Sequence, residues 1–339
     1  MTSNAPPPPQ QIMQLLLGKF ISRSLTAVAD LSIADALHQG PQSVDDLAKK
    51  TESNADALYR VLRALAAVNV FRELPGRKFE NNPLSDTLRA DSEHSTRAMV
   101  RWINDPAGWR PWGRLDYSIK TGQPATEEVL GKDVFSWLQE NPSSLENFQD
   151  AMTGFSAMTA RAVAEAYDFS GIEKLVDVGG GHGMLLGTIL NKFNGISGVL
   201  FDRPEVTSQA QMVLTKLGVA DKVEVVPGDF FEGVSSGADA YILEFIIHDW
   251  DDERSAKILG NCREAMKPGG KVLVVDTVLN DSPEAAFSKL LDLEMLVMSP
   301  GGRERTEADF AALFGKCGLT LSRIVPTESP VSVVEAVVA

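Results

Sequence analysis

The sequence has little cysteine, few histidines and no excess of positive charge. Its two cysteines, Cys262 and Cys317, are isolated. They build neither a disulfide framework nor a cysteine-rich zinc cluster, which fits a reducing cytoplasm. The 339 residues carry a formal net charge of −14. Residues 1–100 hold 11 basic and 11 acidic side chains, so the acidic excess lies wholly beyond them. A field of that sign repels nucleic-acid phosphates, so no nucleic-acid partner is expected. No run approaches the ~20 apolar residues of a bilayer span, so no membrane partner is expected either. The polar start, with Pro6 to Pro9, lacks the basic and apolar segments of a secretory signal.

At ~100–200 residues per domain, the length suggests two domains. Residues 1–11 read as a disordered tail. Residues 12–165 read as a helical domain. Apolar positions recur at helical spacing through Ile12–Leu37 (Leu16, Phe20, Leu25, Val28, Leu31), and Ser43 stands as a cap before another helix. A third helix over Ala55–Val68 places Leu58, Val61, Leu62 and Leu65 on one face. Val70–Leu74, Pro75-Gly76 and Lys78–Glu80 then read as strand, turn and strand. Helices followed by a two-stranded wing describe a winged helix. Its third helix has Arg60 and Arg63 but also Asp56, and the net charge of zero over residues 1–100 favours dimerisation over DNA binding. Residues 101–165 are rich in aromatics, among them Trp109, Trp112, Phe135, Phe148 and Phe155. Most suit a core, and some suit the lining of an apolar substrate pocket.

From residue 173 short β-branched runs alternate with helical stretches, which predicts an α/β domain over 166–339 with a parallel sheet. The last two runs, Leu319–Val325 and Val331–Val338, are close enough for a hairpin, so one of them is expected to run antiparallel. Ligands of open α/β sheets bind outside the carboxyl ends of the strands. Five strands deliver ionisable residues there: Asp177 before Gly179-Gly-Gly-His-Gly183, Asp202, Asp229 beside Phe230, His248, and Asp276. The glycine spacing puts Met184 after Gly183, so the third glycine of the dinucleotide fingerprint is missing. Asp177 would repel a pyrophosphate but attract an ammonium or hold a hydroxyl. Asp202 is placed to bind ribose hydroxyls, and Asp229 and Phe230 to receive an adenine, although each also reads as an ordinary turn or core residue. His248 follows the apolar Phe245-Ile-Ile247 and stands at the ligand rim, where an imidazole of pKa ~6.5 accepts a proton. Asp276 and Glu304 are the candidates for orienting it. Asp249 is expected to point elsewhere and to help begin the next helix.

Together these residues resemble the plant-type small-molecule O-methyltransferases and their bacterial relatives. The motifs are Leu175–Gly183, Leu200–Pro204, Gly228-Asp-Phe230, His248–Asp252, Lys267–Val272 and Pro300–Thr306, spread over nearly the whole chain. The resemblance implies a Rossmann-like class I methyltransferase domain behind an N-terminal winged-helix dimerisation domain, and a cytoplasmic homodimer. It implies S-adenosylmethionine as cofactor, held by Asp177, Gly179, Gly181, Asp202, Asp229 and Phe230. It implies metal-independent methylation of a hydroxyl on a small aromatic molecule. His248 would be the general base, with Asp276 and Glu304 beside it and Met152 and Phe155 toward the substrate. Three positions depart from the family pattern. Glu244 stands where relatives often have a cofactor-binding lysine, His182 where they often have a small hydroxyl residue, and Asp276 where the plant lignin enzymes have a longer glutamate. The alternatives are nitrogen or carbon methylation, a methyltransferase fold with hydroxylase or decarboxylase activity, a nicotinamide oxidoreductase opposed by the glycine spacing, and a ligand-sensing winged-helix regulator opposed by the charge.

Overall fold

In the computed structural model, residues 6–92, 95–282 and 286–339 are described. His94 lies outside them. The chain forms two compact units, residues 1–106 and 107–339.

The first unit opens with helix α1 (Pro8–Asp30), then α2 (Ile33–Ala36), β1 (Gln42–Ser43), α3 (Val44–Lys50), α4 (Ala55–Ala67), β2 (Arg72–Leu74), β3 (Lys78–Glu80), α5 (Pro83–Asp86) and α6 (Arg97–Ile103). The proline-rich start is helical from Pro8 rather than a tail through residue 11. Proline is at home in a first helical turn, where its missing N–H has no intrahelical partner to lose. The Ser43 hydroxyl accepts from the Asp46 N–H and the Asn54 side chain from the Ala57 N–H, so α3 and α4 begin at side-chain caps. Helix α4 buries Leu58, Leu62 and Leu65 against Val28, Ile33, Val44, Leu47 and Phe79. Strands β1, β3 and β2 pair antiparallel as the wing. Helix α1 behaves differently. Ile12, Met13, Leu15, Leu16, Leu17 and Phe20 all lie exposed on it. By length and composition it is apolar enough to cross a bilayer, against the expectation that no segment is.

The second unit begins with α7 (Pro106–Trp112), α8 (Leu115–Thr121), α9 (Ala125–Leu130), α10 (Val134–Gln139) and the long α11 (Pro142–Ala166). Then follow β4 (Lys174–Val178), α12 (Met184–Lys192), β5 (Ser197–Asp202), α13 (Pro204–Lys216), β6 (Val223–Pro227), β7 (Ala238–Glu244), α14 (Asp252–Ala265), β8 (Met266–Asp276), β9 (Val278–Leu279), α15 (Ala286–Met298), β10 (Arg305–Thr306), α16 (Glu307–Lys316), β11 (Leu319–Pro326) and β12 (Ser332–Val338). The sequence set the division near residue 165; the fold divides after Pro106, because α7–α11 pack with the sheet domain. Thr126 donates to the Met298 carbonyl at 3.0 Å, and Phe135 stacks on Trp250 with centroids 5.7 Å apart.

The seven-stranded sheet has the order β11-β12-β8-β7-β4-β5-β6. Strands β8, β7, β4, β5 and β6 are parallel, and β12 alone runs antiparallel, between β8 and the edge strand β11, as the short connection predicts. Alternation along the strands makes two cores. Leu175, Ala240 and Ile242 face Leu186, Val163 and Leu214, whereas Val176, Tyr241 and Leu243 face Ile258, Leu259 and Phe314. Burying each such aliphatic side chain stabilises the fold by about 1.5–3 kcal/mol. The chain leaves β4 toward β5 on one side and returns as β7 on the other. Their carboxyl ends therefore flank a topological switch point, where open α/β sheets bind ligands.

Candidate active site

Three segments meet at that point: the glycine loop after β4, the end of β5 and the turn after β7. Gly179 has φ +71°, and a Cβ there would lie 2.5 Å from Ile246 Cδ1. A Cβ on Gly180 would lie 2.5 Å from Asp177 Cγ. Larger residues cannot occupy this turn without displacing the β7 turn or the acid beneath it. The Gly181 N–H donates to Asp202 Oδ2 at 2.8 Å, and the Arg203 N–H to Asp202 Oδ1 at 2.7 Å. Asp202 thus braces the loop while keeping further lone pairs. Asp177 is buried, and neither of its carboxyl oxygens has a hydrogen-bond partner. Burial pushes its pKa well above the usual carboxylate range, and the charges of Glu244 and Asp202 push the same way. An orphaned buried acid beside a tight glycine turn fits a ligand that brings an ammonium and hydroxyls.

Asp229 Oδ1 accepts from the Phe231 N–H at 2.8 Å, which fixes the turn after β6. The Phe230 carbonyl accepts from Asn261 Nδ2 at 2.7 Å. Its ring stands edge-on to Trp250, centroids 6.3 Å apart, and a Cβ on Gly179 would lie 3.6 Å from it. Phe230 therefore flanks the glycine loop.

The β7 turn carries the imidazole. Phe245 takes a left-handed conformation, φ +53°, which ends the strand. Ile247–Asp249 then form one 3₁₀ turn. His248 is buried, and its Nδ1 lies 2.7 Å from Glu304 Oε1. Thr277 Oγ1 donates to Glu304 Oε2 at 2.5 Å. Of the two candidate orienting acids, Glu304 makes the contact. Asp276, shorter by a methylene, is buried with both oxygens unpartnered. The segment around Glu304 also grips the turn's backbone. The Arg303 N–H donates to the His248 carbonyl at 2.8 Å. Arg305, about 1% exposed, donates to the carbonyls of Ile247 and Trp250 at 2.8 and 2.9 Å. Asp249 departs from expectation: its Oδ1 lies 3.8 Å from His248 Nε2, and Asp251 rather than Asp249 caps α14. The strand direction that would have turned it away stops at Phe245.

Burial alone would lower the His248 pKa. The adjacent Glu304 charge and hydrogen bond override that, Asp249 and Asp276 add to it, and the imidazole rises to about 10. Burial, relieved in part by the imidazolium, lifts Asp276 to about 8. Next to the imidazole stands an aromatic wall. Phe245 lies 5.4 Å from the His248 ring, and Phe155 of α11 stacks on Phe245 with centroids 5.0 Å apart. Met152, half-buried, is three residues before Phe155 on the same helix face.

Sequence reasoning missed two further groups. Glu244, at the end of β7, accepts from Thr159 Oγ1 at 2.6 Å and from Ser156 Oγ, both on α11. His182 Nδ1 lies 2.8 Å from Thr153 Oγ1, again on α11. Each position had signalled itself as a departure from the family pattern.

The O-methyltransferase domain family matches residues 112–320, and the O-methyltransferase dimerisation domain family matches residues 13–91. The chain is 39% identical to phenazine O-methyltransferase of Lysobacter antibioticus, over 96% of this chain and 95% of that protein. It is 32% identical to 8-amino-8-demethylriboflavin N,N-dimethyltransferase of Streptomyces davaonensis, over 96% and 94%. An O-methyltransferase of neocarzinostatin biosynthesis, solved with S-adenosylmethionine and 2-hydroxy-5-methyl naphthoic acid, superposes with a TM-score of 0.80. It has 31% identity, and the match covers 94% of this chain and 96% of that one.

Proposed function

Because the chain belongs to the S-adenosylmethionine-dependent O-methyltransferase family, with that family's dimerisation domain, we propose that it is a homodimer that methylates a hydroxyl on a small aromatic metabolite. The observation that carries this reading is His248, buried, oriented at 2.7 Å by Glu304 and set against the Phe245–Phe155 stack. Glu304 accepts from Nδ1–H, which leaves Nε2 to take a proton. The aromatic wall supplies an apolar face for a planar substrate, with Met152 beside it.

The bound cofactor supplies an electrophilic methyl group. Asp177, Asp202 and the Gly179–Gly181 turn would hold its amino-acid and ribose parts, and Asp229 and Phe230 its adenine. The chain's remaining task is to position the acceptor and remove its proton. A phenol of pKa ~10 is neutral at pH 7, so it needs a base. Glu304 makes His248 a stronger base by stabilising the imidazolium that forms. The same stabilisation keeps the ring protonated at neutral pH, so turnover should climb into the alkaline range.

An aromatic amine is the second reading, favoured by the N,N-dimethyltransferase relative. Its nitrogen attacks before losing a proton and needs His248 less. Labelled S-adenosylmethionine with paired phenol and aniline panels decides between them. Labelled phenol ethers support the first reading. Labelled anilines alone would replace it with the second, and no labelled product with either panel would overturn both. Chelator should leave the rate unchanged.

A further inference from the structure

Glu244 ends β7 and His182 lies in the loop after β4, yet both meet the same helix within one turn. The Thr153 hydroxyl holds His182, and the Ser156 hydroxyl, three residues on, holds Glu244. Residues three apart are neighbours on a helix face. Near Glu244 stands Asp177, whose unpartnered carboxyl feels the charge of Glu244. Among the described residues, no lysine or arginine forms an ion pair with Glu244 or Asp177. His182 is about 93% buried, and its Nε2 has no hydrogen-bond partner. A buried acid, a half-buried acid and an imidazole with one idle nitrogen thus stand at the glycine loop.

We propose that this cluster receives the amino-acid end of the methyl donor, with Glu244 accepting from the ammonium and His182 Nε2–H donating to the carboxylate. The inference rests on the methyltransferase reading. It explains an acid and a histidine at one site as a matched pair for a zwitterion. Thr159 and Ser156 each donate to one Glu244 oxygen, so both oxygens keep a lone pair for the ammonium. Burial raises Glu244 to about 7 while the two hydroxyls pull it back, and a ligand cation favours its charged form. Burial lowers the His182 pKa against the nearby Asp150, so its ring is neutral at pH 7. With Thr153 donating to Nδ1, that neutral ring carries its proton on Nε2.

Calorimetry on the full chain tests the pairing with three ligands: S-adenosylhomocysteine, its analogue lacking the amino group, and its analogue lacking the carboxylate. If wild type fails to bind S-adenosylhomocysteine, it is the methyltransferase reading that falls. Given binding, Glu244→Gln should weaken S-adenosylhomocysteine about ten- to a hundredfold and leave the amino-free analogue within about twofold. His182→Ala should weaken S-adenosylhomocysteine similarly and spare the carboxylate-free analogue. His182→Gln, whose amide can replace Nε2–H, should restore most of the loss. Equal weakening of all three ligands would reduce the two residues to scaffolding for α11 and overturn the proposal. So would tighter binding by Glu244→Gln, or the opposite pairing of variants with analogues. Thermal melting confirms folding, and Glu244→Ala repeats the first arm should Glu244→Gln not fold.

Discussion

The two units of the chain place their difficult groups in opposite ways. In residues 6–106, the described buried polar side chains are Thr26, Ser85 and Asn104, none of them ionisable. Its unpartnered buried atoms lie on Arg77, Asn81 and Asn104, none of them a carboxylate or an imidazole, and its larger unrelieved feature is apolar: Leu15 and Phe20 of α1 are about 76% and 65% exposed. In residues 107–339 exposed apolar side chains such as Met212 and Ile119 are scattered over separate helices, and the buried unpartnered atoms include those of acids and an imidazole. Asp177 and Asp276 have no partners, Glu304 is bonded to His248, and His182 keeps an idle nitrogen. Exposed apolar surface is relieved by another protein surface, and buried polar groups by a ligand. The first unit thus reads as an interface and the second as a reaction site.

The sharpest way to break that contrast is to remove the imidazole. General-base catalysis contributes ~10²–10⁴-fold, so His248→Ala should lower single-turnover rates by about that factor. S-adenosylhomocysteine affinity should stay within about twofold, because the ring belongs to the acceptor side. Wild-type rates across pH 6–10 would make His248 a packing residue and return the second unit to ordinary scaffolding.

Next in expected size comes the interface. Leu16→Glu with Phe20→Glu places two charges on the exposed apolar face of α1. The full chain should scatter light as a dimer at micromolar concentration and the variant should become a monomer with an unchanged circular dichroism spectrum. A variant that remains dimeric would move the interface off α1.

How much of this was legible beforehand follows from physics at each place. The β-branched runs of β4, β5, β7 and β8 announce themselves because a strand buried on both faces is apolar throughout. Ionisable residues at their carboxyl ends then stand out against that background, which is how Asp177, Asp202, His248 and Asp276 were found. The helical start at Pro8 was hidden because a proline run reads as extended chain, while the first helical turn tolerates it. Asp249 was misplaced because Phe245 turns left-handed, and nothing in Phe245-Ile-Ile247 announces that turn. Contacts far apart in sequence were out of reach. Glu244 with Ser156 spans 88 residues, and Arg305 with the Ile247 carbonyl spans 58. The same reason hid the packing of α7–α11 on the sheet domain.

The smallest expected effect sharpens the comparison most, because it concerns one proton. Glu304→Gln keeps an acceptor for Nδ1–H and removes the charge that raises the imidazole. Burial, which lowers the ring's pKa, is then less opposed, so the midpoint of the rate–pH profile should move down from near 10 toward or below ~6.5. At alkaline pH the variant should be slower by only a modest factor, having lost stabilisation of the imidazolium that forms. At pH 7 the loss should be smaller still, since more of its imidazole is free to act. The stability signature follows with a definite sign. A histidine whose folded pKa is raised from 6.5 to about 10 contributes stability in full below ~6.5. That contribution is lost as pH climbs through about 10. Wild type should therefore lose melting temperature across that window and Glu304→Gln should lose less. Two rate profiles with the same midpoint would mean that Glu304 orients the ring without setting its basicity. The buried charge of the second unit would then serve geometry alone.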